Sequence, residues 1–84
     1  MIIVLYRPVS EHARAVEDFK RELDRDKIEI QLVDVDTKEG VVLAELHDIL
    51  QFPSVIATES DGSIVQSWIG TLPLVKEVGY FAHQ

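Results

Sequence analysis

Ile2-Ile3-Val4-Leu5-Tyr6 is an unbroken apolar run that Arg7-Pro8 cuts short, and the segment after it changes period at once. From Ser10 to about Arg25 the apolar positions are Ala13, Val16, Phe19 and Leu23, with charged residues between them. Steps of three and four put those four side chains on one stripe of a helix. A run apolar at every position reads instead as a strand buried on both faces. Ile28 to Val35 follows as a second strand, with Ile28, Ile30 and Leu32 pointing one way and Glu29 and Gln31 the other. That alternation marks a half-exposed edge strand. Two strands joined by a helix in this order form a parallel pair with a right-handed crossover, which already confines the chain to a few α/β architectures.

The remaining segments extend that unit. Ser10 is the expected N-cap of the first helix, and Glu11 in its first turn suits the helix dipole. A second helix is expected from about Thr37 to Leu50, with Val42, Leu43, Leu46, Ile49 and Leu50 on its apolar side and Gly40 in its first turn. Pro53 to Thr58 reads as a third strand, Ser60-Asp61-Gly62-Ser63 as a tight hairpin, and Ile64 to Ile69 as the antiparallel return. Gly70-Thr71 breaks that strand. A last helix follows, with Thr71 as its expected cap, Pro73 in its first turn, and Leu74 or Val75, Val78 and Phe81 at helical spacing. The order β-α-β-α-β-β-α over residues 1–84 predicts a single α/β domain. Its four-stranded mixed sheet carries helices on both faces, with the first and third strands in the middle.

Composition limits the chemistry. A chain of 84 residues buries roughly 60% of its unfolded surface. With 46% hydrophobic residues it can build a core without metal or disulfides. It contains no cysteine, so stability gives no indication of redox compartment. The net charge of −7 is unevenly spread. Residues 1–27 carry six basic and six acidic side chains, whereas from residue 28 onward only Lys38 and Lys76 face nine carboxylates. An acidic body repels phosphate backbones and anionic lipid, which argues against nucleic acid or a membrane surface as partner. Met1–Leu5 lacks a preceding basic stretch, and no apolar run approaches the ~18 residues of a transmembrane helix, so the expected location is the cytoplasm.

Isolated polar residues offer little catalysis. Asp34 and Asp36 sit at i and i+2 with no third or fourth ligand, so solvated strand-end carboxylates are the better reading than a cation site. His12, His47 and His83 are scattered and make no metal pattern, and His47 has no neighbouring nucleophile. Trp68 either packs beside Ile64 under a helix or extends a binding surface.

Several local features, in register across nearly the whole chain, resemble the thioredoxin and glutaredoxin families. They are Val4-Leu5-Tyr6 with its following proline, Asp34-Val35-Asp36, His47-Asp48-Ile49 leading to Phe52-Pro53-Ser54, and Asp61-Gly62 with Val65 and Gly70. The resemblance implies a thioredoxin-like fold, with the family's Cys-x-x-Cys motif falling on Ser10-Glu11-His12-Ala13. Thiol–disulfide exchange needs a thiolate attacking sulfur, and neither Ser10 nor Ala13 can supply one. The resemblance also implies a cis Phe52–Pro53 bond, in place of a plain trans proline at a strand entry. A binding rim would survive the loss of the cysteines, made of Tyr6, Arg7, Pro8, Ser10, Glu11, His12, Ala13, Phe52, Pro53, Ser54, Gly70 and Thr71.

The expected function is a redox-inactive, cysteine-free module without cofactor or metal that binds a protein or peptide segment at this rim, with a basic or neutral partner favoured by charge. An alternative follows from glutathione transferases, whose N-terminal domain shares this fold. In that reading Ser10 or Tyr6 would hold a glutathione thiolate at the helix start. A third reading is structural, a homodimer or subunit pairing through an exposed strand edge.

Overall fold

Strand β1 (Ile2–Tyr6) runs through the middle of the sheet, parallel to β2 (Ile30–Asp34) on one side and antiparallel to β3 (Ser54–Thr58) on the other. Strand β4 (Ile64–Trp68) pairs antiparallel with β3, giving the order β2-β1-β3-β4. The described residues also form three helices: α1 (Ala13–Arg25), α2 (Lys38–Leu46) and α3 (Val75–Ala82). The computed structural model describes residues 1–82, so His83 lies outside the described residues.

The unbroken apolar run of β1 has its cause in this placement, because successive side chains enter two separate cores. Ile2 and Val4, with Val55 and Ala57 of β3, meet Val16, Phe19 and Leu23 of α1 and Val78 of α3. Ile3 and Leu5, with Val33 and Ile56, meet Val35 and Ile49, with Leu43 and Ala44 of α2 packed against them. Ile28, Ile30 and Leu32 all reach the α1–α3 face, as their alternation predicts.

Helix ends depart from the sequence reading, each for a local reason. Helix α1 begins at Ala13, not Ser10. Ser10 is not its cap: the Ser10 hydroxyl donates to the Arg7 carbonyl at 2.6 Å and closes a turn ahead of the helix. His12 occupies the N-cap position without a side-chain cap bond. Helix α2 ends at Leu46, not Leu50, in a reversed turn. There Asp48 adopts φ 54°, its N–H donates to Glu45, and the Ile49 N–H donates to Ala44 at 2.8 Å. That six-to-one bond is the Schellman stop. It returns Ile49 to the core and leaves Val42, Leu46 and Leu50 exposed rather than on a buried side. Helix α1 ends the same way, with Lys27 at φ 61° and the Ile28 N–H donating to Leu23 at 2.9 Å. Ile28 and Leu23 then pack together in one core.

Thr71 is exposed and does not cap α3, which starts at Val75 after the buried Pro73. Val75, not Leu74, faces the core beside Val78. In β4 an irregularity pairs Thr58 with Ile64 but Ala57 with Gln66, so Val65 is the extra residue. Ile64 and Trp68 are therefore opposite Thr58 and Val55, which point to different faces. The companion of Trp68 is Phe81 of α3, edge to face at 5.7 Å, and not Ile64. Among the described residues no helix is long and apolar enough to cross a membrane.

Candidate functional site

Register brings the two halves of the expected rim to the same end of the sheet. Leu5 pairs with Ser54 at the start of β3, and Tyr6 pairs with Asp34 at the end of β2. The Tyr6–Ala13 turn, the segment before β3 and the β2–α2 loop therefore converge. Arg7 joins them: its guanidinium carbon lies 5.9 Å from the centre of the Phe52 ring, and its Nε lies 3.5 Å from Asp36 Oδ1. The Arg7 N–H donates to His12 Nε2 at 3.1 Å, which folds the loop back on the start of α1. The Phe52–Pro53 peptide bond is cis.

The other side of the rim is held by one buried hydroxyl. Ser54 is fully buried, its Oγ donates to the Gln51 carbonyl, and it accepts from the Gly70 N–H at 3.0 Å. Both hydrogen-bonding roles of the side chain are thereby filled, which a buried polar group requires. Gly70 has φ 77°, and a Cβ there would meet the Gln51 side chain, 3.3 Å from its Cβ. The position accepts only glycine without a shift.

The expected rim residues do not share one environment. Arg7, Pro8, Ser10, Glu11, Gly70 and Thr71 are exposed, and Tyr6, His12, Phe52 and Pro53 are half-buried. Ala13 and Ser54 are buried and hold the rim from beneath. The exposed turn carries Val9 at 96% accessibility, a large apolar residue presented fully to solvent. Two participants were not among the expected rim residues: Asp36, read as a solvated strand-end carboxylate, which pairs with Arg7, and Gln51, which is tied to Ser54 and Gly70. Asp36 had a signal, since an acidic strand exit beside the basic exit of a parallel neighbour favours that pair. Gln51 had none.

Asp34 and Asp36 each have a partner within the protein. The Asp34 carboxylate accepts the Asp36 N–H at 2.8 Å, and Asp36 faces Arg7. Among the described residues no group of three or more histidine or acidic side chains is placed to hold a metal ion. Phe52 itself is notable for what it leaves open. Among the described residues neither its N–H nor its carbonyl takes part in a backbone hydrogen bond, while its neighbours Gln51 and Ser54 are engaged.

No family model and no curated protein matches the chain. Solved structures do. A chain from work on the thiol-resolving mechanism of yeast mitochondrial 1-Cys peroxiredoxin via glutathione and thioredoxin systems superposes with a TM-score of 0.67 at 21% identity. That match covers 93% of this chain and 73% of the other. The first two thioredoxin domains of Saccharomyces cerevisiae Eps1p superpose with a TM-score of 0.57 at 21% identity, covering 96% of this chain and 33% of that one. The chain thus spans about a third of the Eps1p structure. The fold is thioredoxin-like, and the chain has no cysteine with which to carry a Cys-x-x-Cys motif.

Proposed function

We propose that this chain is a redox-inactive thioredoxin-like module that binds an extended peptide segment of a partner protein at the Arg7–Phe52–Gly70 rim. The observation that carries the reading is the backbone of Phe52, without a backbone hydrogen-bond partner among the described residues and set between the exposed Arg7–Glu11 turn and the Ser54–Gly70 clamp. An extended segment laid beside Phe52 satisfies its N–H and carbonyl as an added strand would, while side-chain contacts set the preference. Clamping by Ser54 and Gly70 keeps those groups in place before binding, which lowers the ordering cost of association.

The enzymatic alternative loses support at Ser10. Its proton is committed to the Arg7 carbonyl at 2.6 Å, so the hydroxyl is not free to donate to a thiolate. Amide chemical shifts test both readings. Random heptapeptides displayed on phage are selected on the immobilised domain, and the enriched sequences are titrated as synthetic peptides. Saturable shifts at Arg7, Phe52, Ser54 and Gly70 support the module, and a selection without enrichment defeats it. Reduced glutathione at millimolar concentration is the second arm, and saturable shifts at Ser10 and Phe52 there would restore the thiol-ligand reading.

A further inference from the structure

The two faces of the sheet are covered unequally. Helices α1 and α3 both pack on one face, whereas α2 stands alone on the other and packs towards β2. Beside α2 a half-open groove of about 770 Å³ runs along the end of the sheet away from the rim, next to Met1 and Thr58. Its apolar lining comes from Ile3 and Ile56 of the sheet, Leu43 and Leu46 of α2, Val65 of β4 and Phe81 of α3. Leu46 is 69% exposed, and Val42, one turn earlier on the same side of α2, is 55% exposed. Together they leave an open apolar stripe on α2 at the side of the groove.

Charge selects the occupant. Among the described residues no lysine or arginine lines the groove. Glu59 does, Asp61 stands in the adjoining hairpin, and Glu45 and Asp48 flank Leu46 and His47 in the sequence. Met1 also lines it, and its amino group donates to the Thr58 carbonyl at 2.7 Å. A second copy of this chain would bring the same carboxylates face to face, which like-charge repulsion opposes.

We propose that the groove receives an amphipathic helix of a partner protein, basic along its flanks. Apolar residues at i, i+3 or i+4 and i+7 of that helix lie against Ile3, Leu46, Ile56 and Val65. Its lysines or arginines face Glu45, Glu59 and Asp61. The occupant lies alongside α2 and across the end of the sheet next to Thr58 and Val65. This site is separate from the Phe52 rim, and either can fail without the other.

The probe is a synthetic peptide of about 18 residues, long enough to hold a helix, with leucines on one face and lysines on the other. One control replaces every lysine by glutamate, and another keeps the composition but scrambles the leucines. The expected result is saturable amide shifts at Ile3, Leu46, Ile56 and Val65 with the lysine peptide. Both controls, and the L46E variant, should bind roughly tenfold more weakly or worse. Leu46 is exposed, so L46E leaves the fold intact by circular dichroism. Equal binding of either control overturns the proposal, as do shifts confined to the rim or no saturation at millimolar peptide. Self-association of the free protein that L46E abolishes would assign the groove to a second copy and overturn it too.

Discussion

Gly40→Ala should destabilise this protein, although helix propensity alone says the opposite. Gly40 is the third residue of α2, and replacing a helical glycine by alanine ordinarily gains about 1 kcal/mol. Here α2 starts directly against the end of β2. A Cβ at position 40 would press into the Asp34 carbonyl oxygen and lie 2.7 Å from the Val35 Cα. Both obstacles are backbone, so no side chain can swing aside and the β2–α2 loop must move. Overpacking of this kind costs about 1–3 kcal/mol, and a backbone clash belongs at the upper end, leaving a net loss of about 2 kcal/mol. With a urea slope of about 1 kcal/mol/M for so small a domain, the midpoint should fall by about 2 M. The same loss corresponds to a Tm lower by about 8–16 °C.

Gly79→Ala in α3 supplies the internal control. Its Cβ would meet only the Ile28 Cδ1, at 3.4 Å, an ordinary contact. That variant should gain up to about 1 kcal/mol, so one substitution in two helices moves stability in opposite directions. Urea unfolding of both proteins, with the slope checked for constancy, decides the matter. A G40A midpoint at or above that of the parent protein would refute the close-approach argument. Because Asp36 holds Arg7, the displaced loop should also shift the Arg7 amide resonance in G40A and leave it unchanged in G79A.

Ser54→Ala removes the link between the Gln51 carbonyl and the Gly70 N–H; it should cost about 1–3 kcal/mol and speed hydrogen exchange at Gly70. Thr37→Ala deletes the N-cap that accepts the Gly40 N–H at 3.1 Å; a loss of about 1 kcal/mol is expected, most of it recovered in Thr37→Ser. Lys27→Gly should stabilise by relieving the left-handed backbone at the end of α1, by at most about 1 kcal/mol, and an unfolding midpoint at or below that of the parent protein would count against it. The Asp61 carboxyl is held below its ordinary value of 3.8, chiefly by the Ser63 backbone N–H and then by the Ser63 side chain. A carboxyl lowered in the folded state contributes stability above its unfolded pKa, and that contribution is lost as pH falls through the folded one. Carboxyl-detected titration should show Asp61 protonating below its ordinary value of 3.8, and Asp61→Asn should flatten that part of the acid limb.

The strands were legible because each apolar position has a fixed face once the register is known. Ile2–Tyr6 could only be a central strand, and Ile28, Ile30 and Leu32 could only share one side. Helix ends were less legible, since the signals that set them are backbone events at residues without the usual identity. The stop of α2 at Leu46 depends on a left-handed Asp48, where a glycine would have announced it. Without that stop, Leu50 continues the apolar spacing and reads as buried, yet it is 88% exposed. Gly40 was visible only as a weak helix former. Its reason lies in the Asp34 carbonyl, six residues away in sequence and brought against it by the β2–α2 turn. The rim was legible through family resemblance, but the Ser54 bridge to Gly70 joins residues 16 apart and has no sequence signature.

The strand pairing also sets the two proposed surfaces apart. In the antiparallel β1–β3 pair, Leu5 faces Ser54 at one end and Ile2 faces Ala57 at the other. The Phe52 rim lies beyond the first pair and the α2 groove beyond the second. The rim mixes Arg7 and His12 with Glu11 and Asp36, whereas the groove is lined by Glu59, with Asp61 in the adjoining hairpin, and among the described residues by no lysine or arginine. Salt therefore separates them. At molar salt, interactions between exposed charges more than about 3 Å apart are largely screened, which should abolish the preference of the groove for a lysine-bearing helix over its glutamate counterpart. Backbone pairing at Phe52 rests on neutral donors and acceptors and should keep most of its affinity. A peptide titrated at low and high salt would thus report which end it occupies by how its affinity responds. A groove ligand indifferent to salt would mean that its apolar lining, and not the acidic border, selects the partner.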